Sequence, residues 1–239
     1  RSCISVRQRG PAFGYRHFLM AKQSSSEIAY SKLKAQILQN ELAAGYQATE
    51  EEIARQLGMS RTPTREALMR LQNEGLVEVR PRHGMRVLPV SVDDMREIYD
   101  ILTSLESMAA GQIAQKGLAD AELKELSSAV ADMDAALKAD DLVAWAEADK
   151  DFHSLLVSLH GNVRMQTLVN NFMDQSHRCR MLTLKLRPRP DRSNADHDAV
   201  LEAIRRRDPD AARRIHRQHR EKSAAMLIDL LEDLGLKQL

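Results

Sequence analysis

Apolar residues recur at the spacing of buried helix faces in three segments near the start of the chain. The first segment covers residues 27–40, and a capping box precedes the second, with Thr49 three residues before Glu52. Gly58 is placed to end the second helix and Ser60 to cap the third. Two short helices joined by Gly-Met-Ser are typical of a helix-turn-helix. The apolar positions are Ile28, Leu33, Ile37, Leu38, Ile53, Ala54, Leu57, Ala67, Leu68 and Leu71.

Alternation of apolar and polar residues then replaces the helical spacing. Residues 76–80 and 85–88 alternate in the manner of two short strands, and the four residues between them, Pro-Arg-His-Gly, form a basic turn. A basic hairpin directly after a helix-turn-helix is a wing. The pattern therefore predicts a winged helix-turn-helix DNA-binding domain over residues 25–88, followed by a linker at 89–91.

The remainder, residues 92–239, shows no strand pattern and predicts an antiparallel bundle of six helices. The predicted fold class is therefore mainly α, with a winged helix-turn-helix and its small β-hairpin wing before a six-helix bundle. One regular apolar stripe is assigned to the core, with a dimer seam as the alternative. The stripe consists of Leu123, Leu126, Val130, Met133 and Leu137. The predicted helices span 92–116, 119–138, 142–160, 162–186, 194–207 and 209–234.

Four polar residues lie on helix faces that are otherwise apolar. Asp149 lies within such a face, and His153 follows one turn later, about 40° around the axis. His197 and His219 lie on the apolar faces of the last two predicted helices. Burying such groups unpaired costs several kcal/mol, whereas a divalent metal such as zinc or nickel would satisfy all four. The alternative is that each is a hydrogen-bonded core residue or a half-exposed histidine.

Charge is nearly balanced over the 239 residues, with 35 Lys and Arg against 34 Asp and Glu. Affinity for nucleic acid must therefore come from a local concentration of charge. Residues 60–90 hold six arginines against three glutamates, a modest basic patch that suits sequence-selective binding helped by dimerisation. Only two cysteines occur, and no apolar run approaches the roughly twenty residues of a membrane span. We therefore expect a cytoplasmic protein with reduced thiols.

The first nineteen residues contain four arginines and no acidic residue. This composition resembles an organelle transit peptide, or an arm that grips DNA. Met20, followed by a polar segment, is a more natural start. We therefore expect residues 1–19 to be an over-long start and residues 1–24 to form a disordered extension.

Residues 58–68, GMSRTPTREAL, and 71–76, LQNEGL, resemble the winged-helix domain of the GntR family of bacterial transcription regulators. The resemblance implies that the start of the recognition helix approaches operator DNA and that the wing turn reaches the neighbouring minor groove. One departure is Glu51, which stands where the family commonly has an arginine, and a carboxylate repels phosphate. The implied DNA contacts are Ser60, Arg61, Thr62, Thr64, Arg65, Arg82, His83 and Gly84.

The polar cluster of Asp149, His153, His197 and His219 resembles the metal ligands of the FCD domain, the all-helical effector domain of one GntR subfamily. The separation of 22 residues between the last two histidines suits that pattern. The resemblance implies a metal beside a small-molecule pocket, with residues 92–239 serving effector binding and dimerisation.

The effector clamp departs from that subfamily. Many relatives carry an arginine three residues before a Leu-Glu pair, where it grips an effector carboxylate, and this chain has Leu102 there. Arg178, Arg180 or Arg187 are the candidates to replace it.

The leading hypothesis is a transcription regulator, a metabolite-responsive repressor that binds a palindromic operator as a homodimer. In it, a metal-assisted site in the helical domain binds a small carboxylate effector, and the chain is not an enzyme. One alternative is a metal-dependent hydrolase with a DNA-binding appendage, although no glutamate adjoins a ligand histidine in a catalytic motif. The other is a regulator whose metal is purely structural.

Overall fold

The computed structural model describes residues 23–80 and 83–235, and its first part is a unit of three helices. The predicted capping box is present, because Thr49 and Glu52 each accept the main-chain N–H of the other. Gly58 ends the second helix in the left-handed conformation, with φ of 65°, as predicted. The helices are α1 (Ser25–Leu38), α2 (Glu50–Leu57) and α3 (Arg61–Asn73).

A small antiparallel sheet completes the winged domain, with one strand between α1 and α2 and two strands after α3. Its strands are β1 (Gln47–Ala48), β2 (Val77–Arg80) and β3 (Gly84–Val87). The order is β1-β3-β2, so the two predicted wing strands are confirmed and a third strand joins them. Strand β1 has only two residues, too few for an alternating pattern, and it is defined by its pairing with β3, where Gln47 lies opposite Arg86 and Ala48 opposite Met85.

The predicted bundle of six helices makes up the rest of the described chain, and every predicted bound lies within three residues of an observed one. Ser91 and Asp94 form a capping box at the start of the first bundle helix. The largest differences, of three residues, are at the end of the fourth helix, where the chain continues as a 3-10 turn, Leu184–Leu186, and at the start of the fifth. The bundle helices are α4 (Val92–Lys116), α5 (Asp120–Lys138), α6 (Leu142–His160), α7 (Val163–Thr183), α8 (Asp191–Arg205) and α9 (Pro209–Asp233).

The apolar stripe of α5 lies in the core of the bundle, as predicted. It packs against α6 and α8. Leu123 is half-buried at its edge, and the other four members are fully or almost fully buried. Those four are Leu126, Val130, Met133 and Leu137.

Two basic side chains connect the winged domain to α7 of the bundle. Arg178 of α7 is buried and donates to the main-chain oxygen of Leu88 at 2.7 Å. Lys34 of α1 binds Glu74 of its own domain at 2.8 Å and Asp174 of α7 at 2.6 Å. The helix α7 is therefore the part of the bundle on which the winged domain rests.

Two of the sequence predictions fall on residues outside this description. The extension expected over residues 1–24 lies outside it except for its last two residues, of which Ser24 caps α1 by accepting the Glu27 N–H. Arg82 of the predicted wing also lies outside. In the part of the chain that is described, no helix combines the length and the apolar character needed to cross a membrane.

Candidate metal centre and nucleic-acid interface

The four predicted metal ligands converge from three helices. Asp149 and His153 lie one turn apart on α6, His197 comes from α8 and His219 from α9. Each can offer one ligand atom, and the four atoms all lie within 4.8 Å of one another. All four side chains are buried. The bundle thus brings together residues that are up to 70 positions apart in sequence.

Distances within this cluster suit a shared cation. The Nε2 atoms of His153 and His197 lie 3.2 Å apart, and they lie 3.8 and 3.7 Å from the two carboxylate oxygens of Asp149. The buried Oδ1 of Asp149 has no hydrogen-bond partner among the described residues. An unpartnered buried carboxylate oxygen is costly, and three imidazoles with one carboxylate are a donor set that zinc and nickel accept. The residues present therefore fit a divalent transition metal.

The protonation states favoured by the site also suit a metal. Burial lowers the pKa of His153 and of His197 well below the usual value, so both rings are neutral near pH 7. Burial alone would raise the pKa of Asp149, but the adjacent Arg180 guanidinium and the histidines hold it well below its usual range. Neutral imidazoles and an ionised carboxylate are the forms that bind metal.

A second buried cluster adjoins the first and shares His153 with it. The Nδ1 atom of His153 lies 2.9 Å from Oε2 of Glu106 on α4, and Nε2 of His216 lies 3.4 Å from the same oxygen. Arg220 donates to both Glu106 oxygens, at 2.8 and 2.5 Å. All of these side chains are buried. Glu106, His216 and Arg220 were not among the ligands predicted from the sequence.

A cavity of about 370 Å³ opens beside the four-ligand cluster. Asp149 and His219 form part of its wall, together with apolar surface from Trp145, Leu184 and Met226. Its polar lining is mainly basic, with five cationic side chains against two carboxylates. The cationic residues are Arg180, Arg187, Arg189, Arg192 and Lys222, and the acidic ones are Asp149 and Asp196.

The three arginines proposed for effector binding have different surroundings. Arg180 lines the cavity and binds Asp149 through Nη1. Arg187 lines the cavity too, and its buried Nη2 has no hydrogen-bond partner in the described chain. Arg178 does not line the cavity, because its side chain turns to Leu88 at the domain contact. Arg178 therefore lies outside the cavity that Arg180 and Arg187 share.

The start of α3 presents most of the predicted DNA contacts to solvent. The side chains of Arg61 and Arg65 are 71% and 70% exposed, and Ser60 and Thr62 are exposed beside them. Thr64 is the exception, since it is fully buried and its hydroxyl donates to the main-chain oxygen of Ser60 at 3.0 Å. That bond stands in place of the expected Ser60 side-chain cap, which does not form. In this structure Thr64 therefore has no exposed side-chain surface to offer to DNA, unlike the other predicted contacts at the start of α3.

The predicted DNA contacts of the wing also differ in exposure. His83 is exposed at the turn. Gly84 is buried with φ of +78°, and a Cβ atom built there would lie 2.1 Å from the main-chain oxygen of Ala48. Only glycine permits that approach of β3 to β1, so Gly84 shapes the wing and offers no side chain to DNA. Glu51, the departure noted in α2, is exposed and lies 3.6 Å from Arg55.

Helical spacing indicates that Thr64 and Glu106 are both internal residues. Thr64 lies three residues before Ala67 and four before Leu68, so the buried stripe itself includes it. Glu106 likewise lies four residues after Leu102 and three before Ala109, both fully buried. Neither position needed a structure to be identified as internal.

Comparisons with known proteins agree with both halves of this description. The sequence model of bacterial regulatory proteins of the GntR family matches residues 25–87, and that of the FCD domain matches residues 97–222. An uncharacterized HTH-type transcriptional regulator of Agrobacterium vitis is 44% identical over 135 residues, covering 54% of this chain and 77% of its own. The gluconate operon transcriptional repressor of Bacillus subtilis is 24% identical over 226 residues, covering 92% and 90%.

The solved structures support the same fold. E. coli McbR/YncC superposes with a TM-score of 0.76 at 21% identity, over 87% of this chain and 99% of that one. An N-terminal winged helix-turn-helix and a helical effector domain define a ligand-responsive transcription regulator. The chain belongs to the GntR family, in the group that carries an FCD domain. Its family and relatives are transcription regulators, which sets aside the alternative of a hydrolase.

Proposed function

We propose that this GntR-family regulator is a homodimeric repressor whose affinity for a palindromic operator changes when a small carboxylate binds beside a metal in the bundle. The observation that carries the proposal is the composition of one cavity wall. Asp149 and His219, two of the four candidate metal ligands, line the same cavity as five cationic side chains. A metal ligand set and an anion-attracting surface therefore share one site.

Four residues would hold the metal in this proposal: Asp149, His153, His197 and His219. When bound, a divalent ion supplies a localised positive charge that attracts an anionic oxygen. The rest of the selectivity belongs to the chain itself. Arg187 offers a buried guanidinium N–H that has no partner among the residues the structure describes, and a carboxylate is the group that such a fork binds best. The cavity size of about 370 Å³ suits a small metabolite.

Arg180 is the group that joins the effector cavity to the metal ligands. It borders the cavity and binds Asp149, so an anion that attracts its guanidinium alters the surroundings of a metal ligand. The bias reaches DNA through α7, which carries Arg180 and also contacts the winged domain through Asp174. An effector can shift operator affinity only by its differential affinity for two arrangements of these parts.

Dimeric, palindromic recognition follows from the size of the DNA-binding surface. Arg61 and Arg65 form a small exposed patch at the start of one recognition helix, and a single such patch binds weakly. Two copies related by a two-fold axis would read two half-sites about one helical turn of DNA apart. Repression agrees with the name of the relative from the gluconate operon, whose named metabolite is itself a carboxylate.

The test starts by selecting genomic fragments with the purified protein and sequencing them. Operator affinity is then measured by fluorescence anisotropy for chelator-stripped, zinc-loaded and nickel-loaded protein, against a panel of small mono- and dicarboxylates and sugar acids. We expect one carboxylate to change the operator Kd of the loaded protein by about 5- to 150-fold. His219→Ala and Arg187→Ala should each abolish that response, whereas Arg206→Ala, on the exposed end of α8, should leave it intact.

Other outcomes would contradict parts of the proposal. If the purified protein contains no metal and is fully stable, the proposed metal centre is contradicted. Bundle unfolding on chelation, with no carboxylate changing operator affinity, would support the purely structural metal. If sedimentation shows that the protein binds the operator as a monomer, the proposed dimer is contradicted.

A further inference from the structure

The second buried cluster, formed by Glu106, His153, His216 and Arg220, has no role in the function proposed so far. Its three potential ligand residues, Glu106, His153 and His216, each offer one atom within 4.8 Å of the others. By distance alone this cluster qualifies as a second cation site, in which His153 would bridge two ions. Charge and hydrogen bonding decide between that possibility and another.

Charge balance argues against a second ion. The two clusters together hold two carboxylates, Asp149 and Glu106, and two guanidinium groups, Arg180 and Arg220, all buried. One divalent ion leaves this region with two positive charges in excess, and a second would leave four. Such an excess in a low-dielectric interior is strongly unfavourable. Arg220 already binds both oxygens of Glu106, so it occupies the carboxylate that a second ion would need.

The position of the His153 ring shows what the carboxylate does instead. Its Nδ1 lies 2.9 Å from Oε2 of Glu106, and its Nε2 lies on the opposite side of the ring, 3.2 Å from Nε2 of His197. A lone pair on Nδ1 would repel the carboxylate oxygen at that distance, whereas an N–H attracts it. The carboxylate therefore favours the tautomer that has its proton on Nδ1 and a free lone pair on Nε2.

We propose that Glu106 is a positioning residue for the metal centre, fixing the tautomer and orientation of His153 so that Nε2 faces the ion. This inference rests on the proposed metal site. Arg220 holds the carboxylate in place by bonding both of its oxygens. From α9, Nε2 of His216 lies 3.4 Å from the same Oε2 and 3.3 Å from Nδ1 of His153. Carboxylates that orient ligand histidines in this way typically raise metal affinity by about 10- to 100-fold.

The experiment compares nickel affinity, by competition with a chelator, in the full chain and in Glu106→Gln. We expect the Kd for nickel to rise by about 10- to 100-fold. Leu227→Ala is the matched control, because this α9 residue is buried in an apolar cluster, and truncating it destabilises the bundle without removing a charge or a hydrogen bond. It should leave the Kd within about threefold. Glu106→Asp, which keeps the charge but withdraws the carboxylate by about one methylene, should give an intermediate loss and remains available if the glutamine variant does not fold.

A double-mutant cycle separates positioning from a general effect on folding. If Glu106 acts through His153, adding Glu106→Gln to His153→Ala should cause no further loss of nickel affinity. Additive losses would overturn the proposal, as would an unchanged Kd in both Glu106 variants. Two nickel ions per chain by native mass spectrometry would show a second cation site instead. If the unaltered chain binds no metal, the proposed function fails first, and the two failures are distinguishable.

Discussion

Arginines at the start of α3 and in the centre of the bundle are the same residue type in opposite surroundings. The side chains of Arg61 and Arg65 are about 71% and 70% exposed, and those of Arg180 and Arg220 only 7% and 1%. The exposed pair lies 4.0 and 3.8 Å from Glu50, at the limit of an ion pair. Exposed pairs of this kind contribute about 0–1 kcal/mol, so these arginines are free to exchange Glu50 for a phosphate.

The buried pair is committed to particular partners. Arg180 binds Asp149, and Arg220 binds Glu106 with two hydrogen bonds. Removing one member of a buried pair leaves the other charge uncompensated and costs about 3–5 kcal/mol. An exposed arginine therefore serves recognition at almost no cost to the fold, whereas a buried one belongs to the fold and to the site together.

The largest expected effect is the loss of stability when a buried arginine is replaced. Arg180→Leu should lower the free energy of unfolding of the metal-free protein by about 3–5 kcal/mol, because Asp149 loses its cation. Arg65→Leu, its exposed counterpart, should change it by no more than about 0.5 kcal/mol. Urea denaturation of both variants after chelation measures the difference. Similar small losses in the two variants would contradict the distinction between buried and exposed arginines.

The next largest effect is the loss of operator affinity when an exposed arginine of α3 is replaced. Arg65→Ala should weaken operator binding by about 1–3 kcal/mol if the side chain contacts a base edge, and by less, with a smaller dependence on salt, if it contacts phosphate. Fluorescence anisotropy at several salt concentrations distinguishes these two contacts. Arg206→Ala is the control, because this arginine, directly after α8, is equally exposed. Unchanged affinity and salt dependence in Arg65→Ala would remove α3 as the recognition helix.

The smallest effect is a dependence of stability on pH that comes from a buried histidine. Burial lowers the pKa of His216 to about 3, whereas in the unfolded chain it is about 6.5. Below pH 6.5 the unfolded chain therefore binds a proton that the folded chain excludes, and stability is lost as pH falls towards 3. The loss is about 1.4 kcal/mol per pH unit for this residue. Burial lowers the pKa of His153 and His197 in the same direction.

Urea denaturation of metal-free protein between pH 7.5 and 5 measures this slope. His216→Gln should make it shallower by about one proton. His83→Gln, in the exposed wing, is the matched control. An equal slope in His216→Gln and the unaltered chain would show that His216 gains a proton in the folded protein.

The fold could be predicted from the sequence wherever the signal was local. Thr49 with Glu52, Gly58 and Ser91 act within one turn of the helices they bound, so their effect is contained in a few adjacent residues. Strand β1 could not be predicted, because its two residues become a strand only through pairing with β3. The local signals also fixed which residues of α6 point inward, and so brought Asp149 and His153 into the candidate site.

The candidate site was predictable only in part, for a similar reason. An inward-facing histidine in an apolar stripe is visible in the sequence, but its partners are not. Arg220 directly follows His219 on α9, and nothing in its neighbours indicates that its side chain reaches Glu106, 114 positions earlier. The burial of Thr64 was visible in the helical spacing, but the neighbouring polar residues at the start of α3 made it resemble a DNA contact.

One helix, α7, contacts both the winged domain and the four-ligand cluster. Arg178 and Arg180 are two residues apart on α7, which places them about 200° apart around the helix axis. Arg178 binds the main-chain oxygen of Leu88 just before the linker, and Arg180 binds Asp149. The helix α7 therefore joins a contact with the winged domain to a contact with a candidate metal ligand through less than one turn of backbone. A rotation that loosens one arginine from its partner must turn the other at the same time, over a separation of only two residues.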